Sequence, residues 1–234
     1  HLDASGRPGQ YILTGSQNFM LGEKISQSLA GRVGLLKLLP LTMSELYHEK
    51  ISFRTYEEYI YSGFSPAVFD RGIAPSDWYA SYVQTYLERD VRSVLQVSNL
   101  SLFQKFIKLC AGRVGQVVNL SSLASDCGLS HNTVRAWLSI LEASFIVFLV
   151  QPYFRNFNKR LIKSPKLYFW DTGLASHLLG LSNSESISSH YLKGGLFENL
   201  IGAEIAKAFY NRGEELSLYF WRDQAGHEVD FLYE

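Results

Sequence analysis

Between Phe154 and Lys166 the sequence carries Arg155, Lys159, Arg160, Lys163 and Lys166 with no acidic residue among them, and Phe154 and Phe157 are interleaved with the charges. A single-sign cluster of this kind attracts phosphate. Contacts to phosphate oxygens carry no sequence information, so the cluster suits a protein that holds duplex DNA without reading it. The same lysines also suit a solvated hairpin whose charges keep an exposed strand edge from pairing with other chains. Upstream, Arg135 follows His131 and Asn132 at the start of an apolar-periodic run. One arginine there is little for base-edge reading, which needs several side chains in a groove. Other chemistry is missing by type or spacing. No stretch fits the P-loop pattern G-x-x-x-x-G-K-[ST], whose backbone amides cradle phosphate. The scattered histidines form no Ser-His-Asp, Cys-His or zinc arrangement.

The basic cluster needs an element to present it, and the run from Asn119 to Val150 supplies one. Ser121 or Ser122 is placed to cap a short helix through Asp126, Gly128 to make a tight turn, and Ser130 with Asn132 to cap a second helix from Thr133. Leu123, Ala124, Leu129, Val134, Trp137, Leu138 and Leu141 then share one apolar face. Phe145 to Tyr153 and Leu167 to Trp170 are strand-like, with a polar, turn-rich stretch between them. Two helices followed by a hairpin predict a winged helix-turn-helix with the basic cluster on its wing. A plain αα-hairpin that merely packs is the competing reading.

Composition bounds the rest. The chain has 234 residues, 47% hydrophobic and 19% charged, which excludes disorder and collagen-like folds. Its formal net charge is zero, so affinity for nucleic acid must come from a local patch. The two cysteines, Cys110 and Cys127, lie in helix-like apolar stretches without metal spacing and predict core thiols in a reducing cytoplasm. The apolar run ending at Val150 is far shorter than the ~20 residues of a membrane helix, and no basic-then-apolar signal opens the sequence. A cytoplasmic chain with no membrane partner is expected.

Four segments follow from shifts in pattern. In residues 1–41 Tyr11 to Leu13 is a strand ending on a polar, glycine-containing tip, Gly22 to Arg32 is a short helix, and Val33 to Leu39 is strand-like again. Residues 42–112 are helical, interrupted at Gly63, Pro66, Gly72 and Pro75. Residues 113–182 hold the winged helix-turn-helix. Residues 183–234 hold an amphipathic helix from Leu196 to Gly213, with Phe197, Leu200, Ile201, Ile205 and Phe209 as its apolar side, and two strands joined by Arg222 to His227. Asp171 is read as the N-cap of a helix from Thr172.

The runs YILTGSQNFML, SLAGRVGLLKLLPLTMSEL, TYLERDV, YFWDTGLASHLL, GGLFENLI and YFWRDQAGHEVDFLY together resemble bacterial and archaeal AAA-type ATPases that carry a C-terminal domain of unknown function. The resemblance spans nearly the whole chain. It implies that the strand tip holds a first sensor facing the γ-phosphate, at Thr14, Ser16 or Gln17. It also implies that Arg32 is a phosphate-sensing or finger arginine. It further implies that the last segment begins a restriction-endonuclease-like fold of the PD-(D/E)xK superfamily, with Glu198 and Asp230 as metal ligands and catalytic carboxylates and with a Glu-x-Lys expected beyond Glu234. The expected fold class is thus mixed α/β and multi-domain: the remnant of a P-loop ATPase core, a helical segment, a winged helix, and the start of a nuclease-like α/β domain. Walker A and Walker B are expected to precede Tyr11. ATP and Mg²⁺ are accordingly expected for the full-length protein only, with nothing bound here and no turnover. The functional expectation is a part of a AAA-type protein that binds duplex DNA through the wing, or a protein partner, or its own ATPase core. The alternatives are a metal-dependent nuclease and a winged helix used only for protein interaction.

Overall fold

The structure is a computed structural model that describes residue 34 and residues 36–87, 100–153, 164–223 and 225–233. All of these except residue 34 belong to one compact unit, Leu36–Glu234. The helical region holds α1 (Met43–His48), α2 (Tyr56–Ser62), α3 (Pro66–Asp70) and α4 (Pro75–Tyr82), with a π-helical stretch at Val83–Leu87 and then α5 (Leu100–Ala111). Capping residues set the starts. Thr42 and Thr55 each form a reciprocal capping box with the glutamate three residues on, Glu45 and Glu58. Pro66 and Pro75 open α3 and α4, where a missing N–H costs nothing and the fixed φ favours the helix.

The expected pair of helices is α6 (Leu120–Cys127) and α7 (His131–Ala143), with Gly128 in the left-handed conformation between them. Asn119, rather than Ser121 or Ser122, caps α6, its side chain accepting the Ser122 N–H at 2.9 Å. The reason lies just upstream, where Val118 is still extended and donates its N–H to the Pro165 carbonyl at 2.8 Å. Ser130 caps α7 by accepting the Thr133 N–H. Leu123, Ala124, Val134, Trp137, Leu138 and Leu141 are buried as one face, and Leu129 packs against it. Trp137 stands edge-on to Phe103 and Phe106 of α5, with centroids 5.3 and 5.5 Å away. Each such buried aromatic contributes about 2–3 kcal/mol by removing apolar surface from water. Cys110 and Cys127 are both buried, unbridged thiols, and burial pushes both pKa values up.

After α7 the chain forms β1 (Val147–Pro152) and β2 (Lys166–Phe169), paired antiparallel with Val147 opposite Phe169. It continues through α8 (Thr172–Leu178), α9 (Ser184–Ser189) and α10 (Lys193–Asn211) to β3 (Leu218–Arg222) and β4 (Glu228–Tyr233). The sheet order is β2-β1-β3-β4. β1 pairs parallel with β3 through Gln151 and Pro152, opposite Tyr219 and Phe220. One mixed sheet therefore crosses the expected boundary at 182/183. Its own small core holds Phe148, Val150, Tyr168, Trp170, Ala203, Ala206, Leu218 and Phe220.

Helix α10 buries Leu200 and Phe209 of its expected apolar side but turns Phe197 and Ile201 partly outward. Leu196, Asn199, Leu200, Ala203, Ala206, Lys207 and Phe209 are buried, whereas Phe197 is 43% and Ile201 37% exposed. Two polar residues take inward positions because each finds partners there. The Asn199 amide exchanges two hydrogen bonds with the backbone of Phe169, at 2.6 and 2.8 Å, and so acts as a surrogate neighbour for the β2 strand. The Lys207 ammonium donates to the Leu41 carbonyl at 2.7 Å and to Glu204 at 3.1 Å. No helix among the described residues is long and apolar enough to cross a membrane.

Candidate functional site

On β2, Lys166 and Tyr168 stand two residues apart and so face one side of the strand. Glu228 and Asp230 do the same on β4. Helix α10 brings Glu198 to the same place. Its first turn comes so close to the segment after α5 that a Cβ on Gly195 would lie 2.6 Å from the Val114 carbonyl oxygen. Asn199, the residue after Glu198, fixes the helix to β2.

The result is a lysine surrounded by carboxylates. Lys166 Nζ lies 2.7 Å from Glu198 Oε1, 2.5 Å from Glu228 Oε1 and 2.9 Å from Asp230 Oδ1. The Tyr168 hydroxyl donates to Glu198 Oε1 as well. The lysine side chain is only 3% exposed, while Glu198, Glu228 and Asp230 are 17%, 27% and 55% exposed, so the cluster is closed at the lysine and open toward Asp230. Burial alone would lower the Lys166 pKa, but its bonds to the three carboxylates outweigh that and hold it above the usual lysine value. Burial and the carboxylates both push the Tyr168 phenol up, so it stays a protonated donor.

Lys166 was grouped with the basic wing by its sign, yet it does not point at solvent. Its ammonium is held by hydrogen bonds to Glu198 and Asp230 and an ion pair to Glu228, behind a side chain only 3% exposed. Arg135 stands where a partner can reach it, exposed on α7. It lines an open recess of about 410 Å³ together with Val117, Asn119, Ser121, His131 and Ser164. Asn132, Ala136 and Ser139 are the other exposed positions of that helix face. Arg155, Lys159, Arg160 and Lys163 lie outside the described residues, as do Thr14, Ser16, Gln17 and Arg32.

Glu198 and Asp230, the expected metal ligands, do converge. They converge on an ammonium. Among the described residues no group of three or more His, Cys, Asp or Glu side chains is arranged to hold a metal ion. The sequence reading does not reach two members of the cluster, Glu228 and Tyr168, nor Asn199, which ties α10 to β2. Glu228 had a usable signal, since its i, i+2 spacing from Asp230 puts both on one face of β4.

A second buried polar group surrounds Asp171. Its Oδ1 accepts the N–H groups of Gly173 at 2.9 Å and Phe64 at 3.1 Å, and the Tyr79 hydroxyl donates to both carboxylate oxygens at 2.9 and 2.8 Å. The N-cap expected of Asp171 is present, and the same carboxylate ties Tyr79 of α4 and the backbone of Phe64, just after α2, to the start of α8.

Comparison with known families then places the whole assembly. The family described as Domain of unknown function (DUF8612) matches residues 53–185, more than half the chain. The chain belongs to that family. The match covers α2 to α8 and the β1–β2 pair. A second one, Domain of unknown function (DUF4143), matches residues 193–234 and covers α10, β3 and β4. An AAA domain matches residues 1–47. The AAA and DUF4143 matches at the two ends point to an ATPase-like family. An uncharacterized protein of Mycobacterium bovis, Mb2031c, is 28% identical over all 234 residues, as is Rv2008c of Mycobacterium tuberculosis. An uncharacterized protein of Haemophilus influenzae is 22% identical over 86% of the chain. The chain spans about half the length of these relatives, 51% and 52%. No solved structure matches it. The carboxylate cluster thus draws Lys166 and Tyr168 from the DUF8612 match and Glu198, Glu228 and Asp230 from the DUF4143 match.

Proposed function

We propose that this chain is the duplex-DNA-binding part of an ATPase-like protein, with α6, α7 and the β1–β2 pair used as a winged helix-turn-helix. The observation that carries the proposal is the free face of α7. His131, Asn132, Arg135, Ala136 and Ser139 are small or polar and solvent-exposed, and His131 and Arg135 border the recess that Asn119 and Ser121 line at the start of α6. Arg135 stands on that face beside the start of α6, where N–H groups favour a phosphate. Arg155, Lys159, Arg160 and Lys163 fall between β1 and β2 in sequence. In the whole protein ATP and Mg²⁺ belong to the ATPase-like core, and Thr14, Ser16, Gln17 and Arg32 are the residues that the resemblance assigns to it.

Fluorescence titration of two unrelated duplexes across a salt series tests this reading. If roughly three phosphates are contacted, the log-log salt slope is about −3 and binding is micromolar or weaker at physiological salt. Arg135→Ala flattens the slope by about one unit, and Lys159→Ala with Arg160→Ala by about two, for both duplexes alike. Absence of association at low salt rejects the DNA reading. Salt-insensitive capture of a protein would favour the interaction-module alternative instead.

A further inference from the structure

We propose that Lys166 is the resident cation of the Glu198–Glu228–Asp230 cluster, so that the cluster is a metal-independent fastener between the DUF8612 and DUF4143 portions of the chain. The donor set carries this. An ammonium has three protons, and here three different carboxylates each present one oxygen to it, at 2.5 to 2.9 Å. The contacts to Glu198 and Asp230 are charge-assisted hydrogen bonds, and that to Glu228 is a close ion pair. A Mg²⁺ ion would require oxygens at about 2.1 Å with near-octahedral waters around it. Such an ion at this point would coincide with Nζ.

The lysine has no easy way out. Its side chain is 3% exposed, its strand pairs with β1, and its Nζ lies 5.5 Å from the ring centroid of Phe220 on β3. The most accessible member is Asp230, at 55% exposure, so a cation from solvent would approach the cluster from the side away from the lysine. The fastener joins three elements that share no other side-chain ionic contact among the described residues: β2, the first turns of α10, and β4. Tyr168 adds a neutral donor to Glu198 and needs no metal to do so. A lysine at the centre is always charged at neutral pH, so the joint is made on folding and is indifferent to the supply of metal.

The test uses Mn²⁺ alone as probe, followed by its paramagnetic resonance and by thermal denaturation, on the wild-type chain and on Asp230→Asn, Lys166→Ala and the double variant. The wild type should show no Mn²⁺ binding that Asp230→Asn removes, and a melting temperature unmoved by Mn²⁺ or by EDTA. Lys166→Ala should gain Mn²⁺ affinity by about tenfold or more, because removing the central charge leaves three converging carboxylates uncompensated. That gain should vanish in the double variant. If Lys166→Ala is unfolded alone, Mn²⁺ should restore its melting transition. Asp230-dependent Mn²⁺ binding by the wild type overturns the proposal and returns the metal-site reading. A Lys166→Ala chain that gains nothing from Mn²⁺, folded or not, overturns it too, since the carboxylates would then not share a cation seat.

Discussion

Lys207 Nζ donates to the main-chain carbonyl of Leu41 across 2.7 Å, from a side chain with no exposed surface. Glu204, one turn earlier on α10, accepts the Met43 N–H at 2.8 Å and pairs with Lys207 at 3.1 Å. Two backbone groups inside the AAA match, the Leu41 carbonyl and the Met43 N–H, are thereby held by the helix of the DUF4143 match. The Phe64 ring, 4.1 Å from Nζ, supplies the remaining favourable contact.

Burying that ammonium is costly, and burial accordingly lowers its pKa, with Glu204 and Asp171 opposing the shift. Glu204→Leu should therefore destabilise the chain by about 3 kcal/mol, because it leaves a buried charge without its counter-ion. Lys207→Met should be milder, about 1–2 kcal/mol, since it removes the desolvation cost along with the bond to Leu41. Urea unfolding of the two variants checks the order. Equal losses would mean that Glu204 does not compensate Lys207.

Gly63 and Asp171 make a second joint that can be tested. Gly63 has φ +67°, and a Cβ there would lie 2.1 Å from the Tyr79 hydroxyl and 2.2 Å from Asp171 Oδ1. Gly63→Ala combines an unfavourable backbone conformation with a clash against a buried hydrogen-bonded pair, for a loss of about 3 kcal/mol or more. Asp171→Ala strands two backbone N–H groups and leaves the Tyr79 hydroxyl only the Ser62 carbonyl, with a similar loss, whereas Asp171→Asn keeps an acceptor and should lose about half as much. Melting temperatures of the three variants decide. An Asp171→Ala chain as stable as the wild type would remove this cluster from the structural account.

Local signals made some of this legible and could not reach the rest. The α6–α7 pair was readable because apolar residues three and four apart flank Gly128, and the Asp171 cap because its acceptor serves a residue two places on. Asn199 and Lys207 were not readable, because polarity argues for the surface unless the partner is known, and the partners are backbone groups of Phe169 and Leu41, far away in sequence. Phe197 and Ile201 were assigned inward by hydrophobicity alone and are partly exposed instead. Lys166 was grouped with the wing by sign. Strand alternation with Tyr168 sets its direction, and only the fold brings β4 to meet it.

The charge of Lys166 has a signature at alkaline pH. Its folded pKa lies above the usual 10.5, because its bonds to Glu198, Glu228 and Asp230 outweigh the burial that would lower it. A folded state that keeps its proton where the unfolded chain has lost it gains stability from the charged lysine. That contribution is fully present below 10.5 and is lost as pH rises through the folded pKa. Lys166→Met has no such proton to lose. The stability difference between wild type and Lys166→Met, from urea unfolding, should thus stay level from about pH 8 to about pH 10 and shrink beyond it. Other lysines and tyrosines titrate in the same range, but they are common to both chains and cancel in the difference. A difference that stayed constant to about pH 11.5 would show that Lys166 gains nothing from its carboxylates. One that grew with pH would mean that burial, not pairing, governs its pKa.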